Sequence, residues 1–152
     1  MRAVIQRVKK ASVEVEGEIV GKIGRGLLIL LGIHRNDTAI DIPWMIDKII
    51  NLRIFEKEDG KFDESLLDIN GALLIVSQFT LYSDCSRGRR PSFSEAMETT
   101  HARTFFELFI EKAKEKVLLI ETGVFQTSMN VSLVNEGPVT VILNSKKGHD
   151  LC

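Results

Sequence analysis

The chain has 152 residues, of which 44% are hydrophobic and 27% are charged. This balance is that of an ordinary globular protein and excludes a disordered chain, while the longest apolar stretch, residues 27–33, is far too short to span a bilayer. The net charge of −1 excludes a generally basic, nucleic-acid-binding surface, so any RNA contact must be local. We expect a single domain over residues 1–152.

The N-terminal eight residues interrupt their apolar positions with Gln6 and Arg7, which favours a first strand over a secretory signal. Cys85 and Cys152 are too few for a disulfide framework. We therefore predict a cytoplasmic protein with no membrane segment.

The first third of the chain predicts a meander of short strands. Alternation continues through Val13 and Val15, Gly17 offers a turn, and a strand follows over 18–23. The run at 27–33 lacks alternation, which favours a strand that is covered on both faces at the centre of the sheet.

A first amphipathic helix is predicted over about 40–51. Asn36, Asp37 and Thr38 offer N-cap side chains ahead of it, and Pro43 is tolerated only if it lies in the first turn. Its expected core face consists of Ile40, Trp44, Ile46, Ile49 and Ile50.

A second, longer helix is predicted to end near Lys116, with Ser92 or Ser94 as its cap. Apolar residues recur at helical spacing opposite charged ones, so we expect a core face rather than a platform for stacking bases. These residues are Phe105, Phe106, Phe109, Ile110, Ala113 and Val117.

Strands on both sides of these two helices indicate an α/β domain without internal repeats. The remaining strands are expected at 53–56, 72–76, 118–121, 128–134 and 139–143, with turns at Asp59-Gly60 and Asn70-Gly71.

Two segments stand out as candidate sites, because polar groups end an apolar run in each. Ser77-Gln78-Phe79-Thr80 follows the strand at 72–76, and its hydroxyls and amide need partners or a ligand, since leaving such groups buried and unpaired costs about 1–3 kcal/mol each. Asn135-Glu136-Gly137-Pro138-Val139-Thr140 interrupts two strand-like runs, so Pro138 must lie at an edge, a bulge or a turn. A plain strand end and a common turn are the simpler alternatives.

Other candidates for chemistry or RNA contact are few. Arg87, Arg89 and Arg90, together with Lys146-Lys147, form a local basic patch, for which solvated loop charges are the simpler interpretation. The three histidines and two cysteines lack the spacing of a metal site, and Cys85 has no evident histidine partner for a triad. We predict no metal and no cofactor.

The two motifs together resemble the signature pair of the D-aminoacyl-tRNA deacylases, which hydrolyse the ester between a D-amino acid and the terminal adenosine of tRNA. The likeness extends through the stretch that ends in Arg90-Pro91-Ser92-Phe93 and through residues 1–8, 11–13, 51–55 and 60–61. It implies a single-domain, layered β/β/α fold with barrel-like mixed sheets and two main helices. It also implies a homodimeric editing hydrolase of translation quality control.

The resemblance further implies how such a site works. A cis Gly137-Pro138 peptide enters the active site of the partner subunit and rejects L-amino acids by bulk, so glycyl-tRNA should also be hydrolysed. Backbone N–H groups near Gln78, Phe79 and Thr80 hold the oxyanion, while the ribose 2′-hydroxyl of the substrate assists the attack of water.

The substrate-binding residues are expected to be Ser77, Phe125, Met129, Arg87, Arg89 and Arg90, with Phe79, Phe125 or Met129 beside the adenine. Gln126-Thr127 stands where family members usually carry Gly-Ala, which would narrow the pocket. Two alternatives stay open: a non-catalytic module that binds RNA ends, and a hydrolase of small esters that uses Thr80 or a cysteine as nucleophile.

Overall fold

The structure is a computed structural model, and it describes residues 1–86 and 88–145. Within these ranges no helix is long and apolar enough to cross a membrane. The elements in chain order are β1 (Arg2–Val15), β2 (Glu18–Ile23), β3 (Gly26–Gly32), α1 (Asp41–Ile50), β4 (Phe55–Glu56), β5 (Phe62–Glu64), β6 (Ala72–Ser77), a 3₁₀ helix (Phe79–Tyr82), α2 (Thr99–Lys114), β7 (Ile120–Thr122) and β8 (Asn130–Asn144).

The long strand β1 organises the main sheet. Along one edge it pairs with β3 through residues 2–8 and with β2 through residues 11–15, and along the other edge it pairs with β8. These pairs are antiparallel, whereas β3 with β6 and β6 with β7 are parallel. The sheet curls until β2 lies against β6 and β7, so the barrel is almost closed. The predicted α/β fold with barrel-like mixed sheets and two helices is confirmed.

Strand β3 separates two hydrophobic clusters, which confirms the prediction that it is covered on both faces. Leu27, Ile29 and Leu31 pack with the helices, while Leu28 packs with Leu74 and the far halves of β1 and β2 inside the barrel. Successive side chains of a strand point to opposite faces, so an unbroken apolar run is what such a position requires.

The predicted start and core face of α1 are partly wrong. Its N-cap is Ile40, which offers no side-chain bond, and Thr38 instead donates through its N–H and its hydroxyl to the Asp41 carboxylate at 2.8 and 3.0 Å. Ile40 and Trp44 are 82% and 40% exposed, because a helix that begins at Asp41 turns them away from the sheet. Pro43 does lie in the first turn. The buried face includes Ile42, Met45, Ile46, Ile49 and Ile50.

The predicted cap of α2 is wrong as well, since the helix begins at Thr99 with Glu98 as its cap. The segment before it stays non-helical because its backbone pairs elsewhere: Arg35 N–H donates to the Glu95 carbonyl at 3.0 Å, and Met97 N–H donates to the Ile33 carbonyl at 2.9 Å. The expected core role of the phenylalanines is confirmed, with Phe106 and Phe109 buried. The two strands predicted near the C-terminus form one strand, β8, with an interruption that is described below.

Candidate active site

A cavity of about 690 Å³ opens where the parallel strands β3 and β6 end. Leu31 and Ile33 border it from the end of β3, and Val76 and Ser77 border it from the end of β6. The carboxyl ends of neighbouring parallel strands are a common place for a ligand, because both chains leave the sheet there and open a crevice. A cavity of this size lies within the usual range for sites that hold small molecules.

The first motif forms one wall of the cavity, because it leaves the sheet at the end of β6. The Gln78 N–H still donates to the Leu31 carbonyl at 2.8 Å, so it belongs to the sheet. From Phe79 onward the backbone turns into the 3₁₀ helix, whose first N–H groups lack partners within the helix. The donors that the motif can offer to a ligand are therefore the N–H groups of Phe79 and Thr80.

The side chains of the motif do not all face the cavity. Ser77, Gln78 and Phe79 line it, whereas Thr80 is not among the lining residues that the structure describes. The Gln78 amide donates to the Thr80 hydroxyl, and an amide is no base for a nucleophile. Phe79 is 56% exposed and meets Phe93 edge to face at 5.0 Å, so these two rings form an apolar rim.

The loop between β7 and β8 forms the opposite wall. Phe125, Gln126, Thr127 and Met129 all line the cavity, and Phe125 packs against Phe106 of α2 with 5.7 Å between ring centroids. Of the three residues predicted as candidates beside the adenine, Phe125 and Met129 thus lie in this wall, whereas Phe79 lies in the wall that the first motif forms. Gln126 has a φ of 63°, a conformation that glycine adopts at no steric cost.

The start of α2 completes the cavity through Glu98, Thr99 and Ala102. The Glu98 carboxylate accepts the N–H groups of Thr100 at 3.0 Å and His101 at 3.3 Å, and these bonds hold its pKa below the ordinary value. Glu98 is the one charged side chain among the described lining residues. Sequence reasoning missed this wall, because two serines upstream looked like better caps.

The second motif lies apart from this cavity. Residues 136–139 bulge from β8 opposite Arg7, where the pairing register with β1 shifts. The Gly137-Pro138 peptide bond is cis, and both residues are exposed. Gly137 borders a second cavity of about 180 Å³, and neither residue lines the cavity at the end of β6. Within one chain, the two motifs therefore serve separate surfaces.

Arg7 holds the bulge from β1 with a side chain that is only 4% exposed. Its Nε donates to the Glu136 carbonyl at 3.0 Å, its Nη1 donates to the Ile54 carbonyl at 2.7 Å, and its Nη2 pairs with the Glu56 carboxylate at 3.0 Å. A Cβ at Gly137 would lie 2.9 Å from Nη2, so no side chain fits there without a shift. In the sequence, Arg7 indicates only that the N-terminal segment is a strand, because its place opposite the Gly-Pro bulge depends on the register of β1 with β8.

The remaining candidate residues for RNA contact or chemistry either do not line the cavity or lie outside the described residues. Arg89 and Arg90 are exposed in the loop that leads to the cavity rim, while Arg87 and Lys146-Lys147 lie outside the described residues. His34 is buried, with its Nε2 3.0 Å from the Glu95 carboxylate. Within residues 1–86 and 88–145, no cluster of histidine, cysteine and acidic side chains could hold a metal ion.

Comparison with known proteins assigns the family. The sequence model of the family described as D-Tyr-tRNA(Tyr) deacylase matches residues 4–144. The chain belongs to this deacylase family. A D-aminoacyl-tRNA deacylase of Thermosipho africanus (strain TCF52B) is 60% identical over 147 residues, which cover 97% of this chain and 99% of that protein. The resemblance drawn from the two motifs is confirmed, and the chain is a hydrolase of the deacylase class.

Two solved structures share the deacylase fold of this chain. One, described as c-Myc DNA Unwinding Element Binding Protein, is 44% identical, has a TM-score of 0.91, and covers 96% of this chain and 99% of its own. The other, described as a probable eukaryotic D-amino acid tRNA deacylase, is 17% identical, has a TM-score of 0.79, and covers 93% of this chain and 97% of its own. At that identity the second likeness supports the fold alone.

Proposed function

We propose that this protein is an editing hydrolase that cleaves the ester of D-aminoacyl-tRNA and releases free amino acid and tRNA. Family membership supports the reaction class. The observation that carries the proposal is the cavity of about 690 Å³ at the end of β6, which is lined by Ser77, Gln78 and Phe79 of the first motif and by Phe125 and Met129, and whose volume lies in the range of small-molecule sites.

The terminal adenosine enters this cavity in the proposed complex. Single-stranded RNA ends are read mainly by stacking and apolar contact, and Phe125 and Met129 provide such a wall. The ester then lies toward the end of β6, close to Ser77. Arg89 and Arg90, exposed in the neighbouring loop, contact the phosphates of the same strand.

The chemistry is proposed to rest on the substrate and the backbone. The N–H groups of Phe79 and Thr80 hold the oxyanion, and the ribose 2′-hydroxyl assists the attack of water. A carboxylate whose pKa is lowered is a poor general base at neutral pH, and Glu98 already caps α2 with both oxygens. This argument favours substrate assistance over a protein base.

Handedness is proposed to come from a second copy of the chain. Gly137-Pro138 of one subunit enters the cavity of its partner in a homodimer, and its backbone fills the space that an L side chain needs. The exposure of the bulge and its separation from the cavity of its own chain support an arrangement in trans. Because glycine has no side chain to exclude, glycyl-tRNA is also hydrolysed.

The direct test incubates the purified protein with D-tyrosyl-tRNA, L-tyrosyl-tRNA and glycyl-tRNA and measures free amino acid. Release from the D-tyrosyl and glycyl substrates with retention of the L-tyrosyl ester is expected. Protection of all three esters would indicate an RNA-end-binding module instead. Cleavage of D-tyrosine ethyl ester at a comparable rate would indicate a general hydrolase of small esters.

A second test separates substrate assistance from a threonine nucleophile. Thr80→Ala should keep most of the activity, because the Thr80 hydroxyl bonds to Gln78 and does not line the cavity. A D-tyrosyl-tRNA whose terminal ribose lacks the 2′-hydroxyl should react poorly. Loss of activity in Thr80→Ala, with normal hydrolysis of the deoxy substrate, would replace this mechanism by nucleophilic catalysis.

A further inference from the structure

A guanidinium is held at the edge of the cavity by two residues of its wall. Arg103 of α2 donates from Nη2 to the Gln126 side-chain oxygen at 3.1 Å, and its guanidinium carbon lies 4.8 Å from the centroid of the Phe125 ring. Gln126 and Phe125 both line the cavity. Arg103 itself is exposed, so the charge meets solvent at the entrance rather than the interior.

The helix places this charge by its periodicity. Thr99, which lines the cavity, and Phe106, which packs on Phe125, lie four and three residues from Arg103 along α2. Residues at such spacings share one side of a helix. The long Arg103 side chain therefore lies over the mouth of the cavity. Because its two contacts already restrict it, the side chain loses less conformational entropy when a ligand binds.

The two contacts leave most of the guanidinium available. Its hydrogen bond to Gln126 involves only Nη2, and the contact with Phe125 places the guanidinium carbon over the ring and occupies no N–H donor. A guanidinium carries five N–H donors arranged for two-point contact with phosphate oxygens. The lining of the cavity offers no positive side chain among its described residues, so Arg103 supplies the charge that the lining lacks.

We propose that Arg103, fixed by Gln126 and Phe125, binds the phosphodiester that precedes the terminal nucleoside of the RNA substrate and so positions the ester. This proposal rests on the proposed function, because it needs a single-stranded RNA end in the cavity. It gives Gln126 a role in this chain, because its side chain orients a phosphate-binding arginine. Arg103 is a positioning residue and takes no part in bond breaking.

The test compares two substrates that differ in the phosphodiester. D-tyrosyl-tRNA has it, and 3′-O-D-tyrosyl-adenosine does not. Arg103→Gln should lower kcat/KM for D-tyrosyl-tRNA about tenfold, the order expected for one hydrogen bond to a charged group, and should leave hydrolysis of the adenosine ester unchanged. The slope of log kcat/KM against log salt concentration for the tRNA should fall in magnitude by about 0.7, the value for one single-strand phosphate contact.

Two further variants sharpen the comparison. Lys114→Gln also removes one positive charge, but at the far end of α2, about 16 Å from Arg103 along the helix axis. It should change kcat/KM for neither substrate. Arg103→Lys keeps the charge and should keep the salt slope of the unaltered protein.

The outcomes separate this inference from the function on which it rests. If Arg103→Gln has the kcat/KM of the unaltered protein for D-tyrosyl-tRNA, or lowers kcat/KM for both substrates equally, then Arg103 binds no phosphate. The inference is then overturned while the proposed function stands. If the unaltered protein hydrolyses neither substrate, the proposed function itself fails and this inference falls with it.

Discussion

Replacement of Arg7 by methionine tests whether this buried guanidinium holds the Gly-Pro bulge. Methionine retains an apolar stem but leaves the Ile54 and Glu136 carbonyls, now bonded at 2.7 and 3.0 Å, without their donor. Each unmade bond of a buried group costs about 1–3 kcal/mol, so Arg7→Met should lower the free energy of unfolding by about 2–6 kcal/mol. This is a large share of the 5–15 kcal/mol, roughly, that a domain possesses.

Guanidinium denaturation followed by far-ultraviolet circular dichroism measures this loss. Arg53→Met is the matched control, because Arg53 is 66% exposed and pairs with Asp63 at the surface, where such pairs contribute no more than about 1 kcal/mol. The surviving Arg7→Met protein should also hydrolyse L-tyrosyl-tRNA to a greater extent, since the bulge loses its support. An unfolding free energy within about 0.5 kcal/mol of the unaltered protein would refute the reasoning, because it would equal a surface change.

Three other predictions concern the cavity, the helix cap and the sheet. In Gly123→Ala the new Cβ would stand 2.6 Å from the present position of Met129 Sδ, so the flexible thioether should move into the cavity. This should raise the KM for D-tyrosyl-tRNA and change the free energy of unfolding little. Because the pKa of Glu98 is lowered in the folded protein, its cap stabilises the protein above the ordinary carboxylate pKa, and this stabilisation is lost as the pH falls through the folded-state pKa. Glu98→Gln should therefore lose less stability than the unaltered protein between pH 7 and pH 3, as measured by thermal unfolding. In Gly26→Ala the new Cβ would collide with the Ala72 carbonyl oxygen, and the backbone cannot move aside as a side chain does. The midpoint of denaturant unfolding should therefore fall distinctly, and an unchanged midpoint would contradict the pairing of β3 with β6.

The parts of the fold that sequence could predict are those with strong local patterns. The alternation of β1, the unbroken apolar run of β3 and the spacing of Phe106 and Phe109 each depend on burial of one face or of both, which leaves a period in the sequence. The family was predictable for a different reason, because two remote motifs and a long stretch between them matched together.

The errors occurred where distant contacts outweigh local preference. Ser92 and Ser94 are good N-cap residues, yet the backbone around them pairs with residues 33–35 and with Asp84, so the helix starts later. Likewise, the helical spacing predicts Trp44 on the core face, whereas the start of α1 turns it outward. No local signal in the sequence records these pairings.

The site divides in the same way. Chemical type predicts Phe79, Phe125 or Met129 as a residue beside the adenine, and all three line the cavity, with Phe125 and Met129 in one wall. Glu98 and Arg103 were missed, because their position at the cavity depends on how α2 meets the loop between β7 and β8. The hydrogen bond from the Gln78 N–H to the Leu31 carbonyl could not be predicted either, because it depends on how far the pairing of β3 with β6 continues.

The central claim is that the Gly-Pro bulge of one subunit completes the cavity of the other, and complementation between two defective variants tests it most directly. Gly137→Ala impairs the bulge and leaves the cavity intact, whereas Ala102→Trp fills the cavity and leaves the bulge intact. The two chains are unfolded and refolded together, and mass spectrometry verifies the mixed dimer.

If the bulge acts in trans, Gly137→Ala refolded alone should hydrolyse both D-tyrosyl-tRNA and L-tyrosyl-tRNA, and Ala102→Trp refolded alone should hydrolyse neither. In an equal mixture half of the intact cavities face the sound bulge of a partner subunit, so the ratio of L-tyrosyl to D-tyrosyl hydrolysis should fall to about half of its value for Gly137→Ala alone. A mixture that forms mixed dimers yet keeps the ratio of Gly137→Ala alone would contradict the account.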